Sequence, residues 1–327
     1  MKKIELIDFL KGASIFAIVI MHFIITFKNY FNPLLVKASL YGGAGVHVFI
    51  VCSGIGLALS YKKNPIIFFS FIKKRVKKIY IPYIIVVFFS FLCGFMYKGE
   101  DQLLALSSHI FLFKMFIEKY DTSFGSQFWF ISTIFQLYLI FIPLMKLVKK
   151  TSIKKVFVFS IFISILWWCF LGFNNLSNIR IYSGFFLQYF WEFVLGVYIG
   201  YDLDNIKYYT ANNIIILVIF LLCTLLYGIS GFIGGNLKMF NDVFSLLSFG
   251  SILILIYNLK NTSINKFFIR ISSYSYEWYL VHILVFESLI YYFGLSIFSF
   301  VVAVPLSMLV AYFYNNFIMS LRKDTGK

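Results

Sequence analysis

The chain alternates long apolar runs with short polar joints, and the length of the runs is its first structural statement. An α-helix needs about 17–22 apolar residues to cross the hydrocarbon core of a bilayer. Runs of that length lie near 9–27, 43–61, 79–97, 127–147, 156–173, 184–201, 212–230, 242–258, 272–292 and 297–318. They predict an all-α, polytopic transmembrane bundle of about ten spans, forming a single domain over 1–327. The stretch 103–117 departs from the pattern: it is short and holds His109 and Lys114, which suits an interfacial or re-entrant segment. The joint 98–126, with Glu100, Asp101, Glu118 and Asp121, is long enough for an external cap. No repeat of two related halves, as in many transporters, is visible.

Charge orients these runs. With ten spans and a cytoplasmic N-terminus, the outer side receives Lys28, Lys37, Lys98, Lys114, Lys119, Arg180 and Lys238, and the remaining Lys and Arg of the 29 fall inside. That is the asymmetry of the positive-inside rule, and it places both termini in the cytoplasm. Counting 103–117 as a span would put Lys149, Lys150, Lys154 and Lys155 outside, against the rule. The net charge of +16 therefore reads as topology plus attraction to anionic inner-leaflet lipid, not as nucleic-acid binding. The first run does not read as a cleavable signal, because Asp8 follows the basic start and no small-residue cleavage site closes the run.

Composition agrees. The chain is 61% hydrophobic and 13% charged, against about 25% charged for a soluble domain. Cys52, Cys93, Cys169 and Cys223 lie in apolar segments without CxxC spacing, and read as buried small hydrophobes.

Polar residues inside the runs carry the chemistry, because an ionisable side chain in hydrocarbon is costly and faces the protein interior. The first run holds Lys11 and His22. Eleven steps of a helix leave them about 20° apart in azimuth and roughly 16 Å apart along the axis. They share a stripe, Lys11 near one surface and His22 deeper. Interhelical hydrogen bonding is the bland alternative for such a His. The second run opens Gly42-Gly43-Ala44-Gly45-Val46-His47 and continues to Ser53. Its glycines permit close backbone approach, and His47 and Ser53 point to different faces. The fourth holds Trp129, Ser132, Gln136, Tyr138 and Pro143, the proline suggesting a kink. The sixth holds Glu192, an acid inside the membrane. In the ninth, Ser275, Tyr279 and His282 stand at i, i+4 and i+7, one face lining a polar cavity or a helix contact; Glu277 lies off it. No metal is expected: no His is paired with His or Glu in the H-E-x-x-H manner and the cysteines do not cluster. Dinucleotide and P-loop fingerprints are absent.

Taken in order, these segments resemble the acyltransferase 3 family of membrane-bound bacterial acyltransferases. Asp8, Lys11 and His22 resemble its first-helix pattern of a basic residue, ten residues, then His. Gly45-Val46 through Phe49 and Ser53-Gly54 is similar to its second-helix segment. Phe128-Trp129, Ser132, Gln136, Tyr138 and Pro143 resemble its fourth-helix signature, and Ser275-Tyr276, Tyr279-Leu280 and His282 its "SY-x-x-YL-x-H" element. Two departures stand out: Lys11 replaces the usual Arg, which forfeits the bidentate fork, and Ile134 and Phe135 stand where many members have acids. No extra periplasmic esterase-like domain is expected.

The resemblance implies transfer of an acyl group, usually acetyl from acetyl-CoA as co-substrate, to a hydroxyl of an envelope glycan or lipid-linked sugar, by a multi-pass protein of the bacterial cell membrane. On that reading His22 is the base, or a transient acyl carrier. Lys11, helped by Lys73, Lys74 and Arg75, contacts the donor's phosphates. Asp8, His47, Ser53, Trp129, Gln136, Glu192, Ser275, Tyr279 and His282 line the pocket. Ten spans with buried polar groups also suit a transporter or flippase of lipid-linked sugars, which would work without acetyl-CoA.

Overall fold

The structure is a computed structural model that describes residues 5–203 and 212–324. Among these residues it is helical apart from short joints, with no strand. Of the cations expected inside, Lys2, Lys3, Lys207 and Lys327 lie outside the described residues.

The long helices in chain order are α1 (Glu5–Thr26), α3 (Gly45–Lys63), α5 (Ile81–Leu92), α7 (Trp129–Lys150), α8 (Ile153–Phe173), α10 (Phe190–Tyr201), α11 (Asn213–Ile233), α12 (Asn241–Asn258), α13 (Thr262–Ser272), α14 (Ser275–Phe293) and α15 (Ile297–Asp324). Short helices interleave as α2 (Pro33–Ser39), α4 (Phe68–Arg75), α6 (Gln102–Ile110) and α9 (Arg180–Ser183). Seven helical segments are long and apolar enough to cross a membrane, and they coincide with seven of the expected spans. The other three expected spans, 79–97, 184–201 and 272–292, are occupied by α5, α10 and α14. Helices α5 and α10 are only 12 residues long, and α14 carries Glu277, His282 and Glu287. The awkward stretch 103–117 holds the nine residues of α6, about 14 Å of helix, too short to cross.

Helices α7 and α3 form the buried centre, whereas α11 and α15 leave most of their apolar surface outward. The α3–α10 contact is the most extensive, and glycine explains it. A Cβ on Gly54 would collide with the Phe193 carbonyl of α10, and one on Gly196 with the Val51 carbonyl of α3. The two backbones therefore touch, the packing small residues permit in membranes. The cysteines follow the same geography. Cys52 and Cys223 are buried as expected, but Cys169 is exposed and Cys93 half-buried. Cys169 lies on the outward side of α8, where the neighbour is lipid, so an apolar thiol gains nothing by turning inward.

One proline shapes the end of the bundle where α4 meets α5. Pro82 has no N–H to give the Lys78 carbonyl four residues back. The chain passes from α4 to α5 through a π turn at Val76–Tyr80. The loosened carbonyls find other donors: Arg322 Nη2 donates to Lys78 O (3.2 Å) and the Tyr276 hydroxyl to Ile79 O (2.7 Å). The Tyr314 hydroxyl donates to Pro82 O (2.6 Å). This turn ties α5 to α14 and α15.

Candidate active site

A cavity of about 380 Å³ opens between α1, α3, α7, α14 and the π turn. It falls at the lower end of the roughly 300–1,000 Å³ usual for ligand sites. Four cations line it, Lys11, Arg75, Lys78 and Arg322, against one acid, Glu277. Lys11, Arg75 and Lys78 make no ion pair among the described residues, so the cavity offers uncompensated positive charge to an anion. Arg75 is held over the rings of Phe71 (5.4 Å) and Tyr138 (5.7 Å). Lys78 is exposed as a residue, yet protein packed around its ammonium desolvates it. That desolvation, then the charges of Arg75, Lys11 and Arg322, pushes it down to about 8. Lys73 and Lys74 stand exposed on α4 and do not line the cavity. Asp8 lies outside the lining too, close enough that its charge and that of Lys11 both act on Cys52.

Further along α1, one turn beyond the lining residue Ile18, His22 meets His282 of α14. His22 Nδ1 is 2.8 Å from His282 Nε2, and the rings stack at 5.0 Å. The bonding network assigns the protons. His282 Nδ1 lies 3.0 Å from the Trp278 carbonyl, which can only accept, so Nδ1 carries the hydrogen. A neutral His282 then accepts at Nε2, and His22 must donate from Nδ1. That leaves the lone pair of His22 on Nε2, which has no partner among the described residues.

No other histidine has this freedom. His282 uses both nitrogens. His109, buried in the cap, has Nδ1 2.6 Å from the Tyr83 hydroxyl and Nε2 2.8 Å from Ser123 Oγ. Burial holds it well below the usual histidine value, and beside it buried Lys114 is pushed down to about 7 while donating to Asp121 O at 2.8 Å. His47 has Nδ1 2.9 Å from Glu192 Oε1 and Nε2 3.6 Å from Asp242 Oδ1.

The remaining expected site residues divide. Ser53, Ser275 and Tyr279 line the inner cavity. Ser53 Oγ is 2.9 Å from the Tyr138 hydroxyl, Ser275 Oγ donates to Ser272 O at 3.0 Å, and the Tyr279 hydroxyl is committed to the Gln127 carbonyl. Gln136 accepts from the Phe186 amide at 3.3 Å and holds a turn in place. Trp129 stacks near Tyr189 (5.8 Å) under the Arg180 guanidinium (5.1 Å). His47 and Glu192 come together, but outside the inner cavity.

With Asp242, these two form a cluster whose ligand atoms lie within 4.8 Å of one another, a spacing that could hold one divalent ion. The two ring nitrogens of His47, however, face different carboxylates, so Glu192 and Asp242 clamp the ring rather than converge on one point. Sequence reasoning missed Lys78 and Arg322 as lining residues, and Asp242, Arg180 and Lys238, which line a second, smaller cavity. Asp242 had a signal: it is an acid at the first position of an apolar run.

Comparison with known proteins is brief. No curated protein and no solved structure matches the chain. The family model of the acyltransferase domain, acyltransferase 3, matches residues 4–315, nearly the whole helical bundle and every residue of both histidine sites. The chain belongs to the acyltransferase 3 family and is a membrane acyltransferase.

Proposed function

We propose that the protein transfers acetyl from acetyl-CoA to a hydroxyl of an envelope glycan or lipid-linked sugar, with His22 as general base. The observation that supports this is the free Nε2 of His22, held one helical turn beyond the lining of a cavity that carries four cations. A CoA thioester is a long anion with its reactive carbon at one tip. Lys11, Arg75, Lys78 and Arg322 would engage its phosphates from the cytoplasmic side, leaving the thioester near His22. The acceptor hydroxyl would come from the outer side. As its oxygen bonds to the acyl carbon, Nε2 takes the proton and the C–S bond breaks. The imidazolium then gives the proton to the leaving thiolate. His282 positions the base: its own orientation is fixed by Trp278 O, and its acceptor keeps His22 in the productive tautomer. Both ends of the chain would lie in the cytoplasm, and the bacterial cell membrane would be the setting.

Quantifying acetyl groups on surface glycans with and without the protein tests the assignment. Loss of a defined O-acetyl group on deletion is expected, restored by the wild type and not by His22→Gln. An unchanged acetyl content would contradict it.

A further inference from the structure

A second cavity, of about 180 Å³, shares no lining residue with the first. It is bounded by α9, the turn Phe186–Tyr189, the turn Gly235–Phe240 and the start of α12. It is too small for a CoA-sized ligand but suits a single sugar unit, and its lining is largely polar: Arg180, Ser183, Gln188, Lys238, Asn178 and Asp242. Three features narrow what it takes.

The first is charge. Asp242 is already engaged: Oδ2 accepts from Gln188 Nε2 at 2.6 Å, and Oδ1 faces His47. Arg180 and Lys238 have no ion-pair partner among the described residues. The second is an unmet acceptor. Gln188 is 4% exposed, and its Oε1 has no hydrogen-bond partner among the described residues, which is costly unless a ligand or water donates to it. A sugar hydroxyl is such a donor. The third is proximity to the chemistry. Arg180 sits over Trp129, and its charge acts on Asp242, Tyr279 and His22 alike.

We propose that this second cavity holds the acceptor and selects a saccharide unit bearing an anionic group, carboxylate or phosphate, which Arg180 and Lys238 engage while Gln188 and Ser183 bind ring hydroxyls. The planar fork of Arg180 matches either anion in a bidentate manner. The inference rests on the acyl-transfer reading for its role, but the cavity's preference is measurable without chemistry.

The test uses the full chain in lipid nanodiscs with three glycosides of one aglycone: hexyl β-D-glucoside, hexyl β-D-glucuronide and hexyl 6-phospho-β-D-glucoside. Binding is read by calorimetry, acetyl transfer by product, and donor consumption by thiol release. At least one anionic glycoside is expected to bind and react about tenfold or more better than the neutral one, and the better of the two identifies the anion. Arg180→Gln and Lys238→Gln should each erase about tenfold of that preference through acceptor binding, with the donor KM unchanged. Equal or better use of the neutral glycoside, a preference untouched by both substitutions, or no binding of any glycoside overturns the proposal. Anionic preference in binding without any donor consumption would instead overturn the acyl-transfer reading and leave the cavity's role standing.

Discussion

The two membrane-embedded histidine sites use the same side chain for opposite ends. His47 is clamped between Glu192 at 2.9 Å and Asp242 at 3.6 Å. A hydrogen-bonded carboxylate at Nδ1 and a second at ion-pair distance from Nε2 both favour the imidazolium, which has a proton on each nitrogen. Such a ring has no lone pair to offer and serves to join α3, α10 and α12. His22 is bonded at one nitrogen only, by another histidine whose own proton is fixed by a carbonyl. It retains a lone pair and stands beyond a cavity. A buried histidine is thus diagnostic of chemistry only when one nitrogen is left unspent, and counting partners separates the two cases better than depth in the membrane does.

The contrast can be broken at several points. Glu192→Ala strips His47 of its nearest partner and leaves a buried charge exposed to apolar surroundings. Breaking one member of a buried pair costs about 3–5 kcal/mol, so a clear drop in thermal unfolding temperature in detergent is expected, with turnover per folded molecule largely kept. His282→Phe keeps the ring shape but removes the acceptor that orients His22. A misplaced base costs about 10²-fold, so kcat should fall by about that much while the donor KM holds. If KM rises and kcat stays, His282 belongs to the donor site.

A smaller effect concerns the inner cations and pH. Lys78, pushed down to about 8, is charged below that value and neutral above it. Donor affinity should therefore be full near pH 7 and weaken as pH rises through 8. Lys78→Gln should cost about tenfold in donor binding at pH 7, in keeping with one charge-assisted hydrogen bond, and should flatten the profile between pH 7 and 9. The smallest effect is expected at Lys73 and Lys74. As exposed surface charges, their change to Ala should alter donor binding by no more than about twofold. A larger loss there would move the donor's phosphates out of the cavity and onto α4.

Much of this was legible before any coordinates. Apolar run length located the helices, and the cost of burying charge singled out Lys11, His22, His47, Glu192 and His282. What was not legible was pairing. His22 and His282 lie 260 positions apart, and nothing local says that their stripes face each other. Asp242 sits at the edge of its apolar run and so resembled an ordinary boundary acid. Which of the basic residues line the cavity was not legible either, for a geometric reason. The segment from Lys62 to Lys78 reads as a polar joint with no helix face to assign, whereas most of it folds as α4 and the π turn. Arg75 and Lys78 turn to the cavity, and Lys73 and Lys74 turn away. Arg322 joins them from the far end of the chain, held by the carbonyl that Pro82 left open.

The central claim is that His22 is chemical and His47 structural. The most direct measurement is a crossed one: acetyl-CoA turnover and unfolding temperature for His22→Gln and His47→Gln, at matched amounts of folded protein. His22→Gln should lose about 10²–10⁴-fold in turnover, the usual worth of a general base, at near wild-type unfolding temperature. His47→Gln should unfold earlier and turn over at close to the wild-type rate per folded molecule. Near wild-type turnover in His22→Gln, or selective loss of turnover without loss of stability in His47→Gln, would contradict the account.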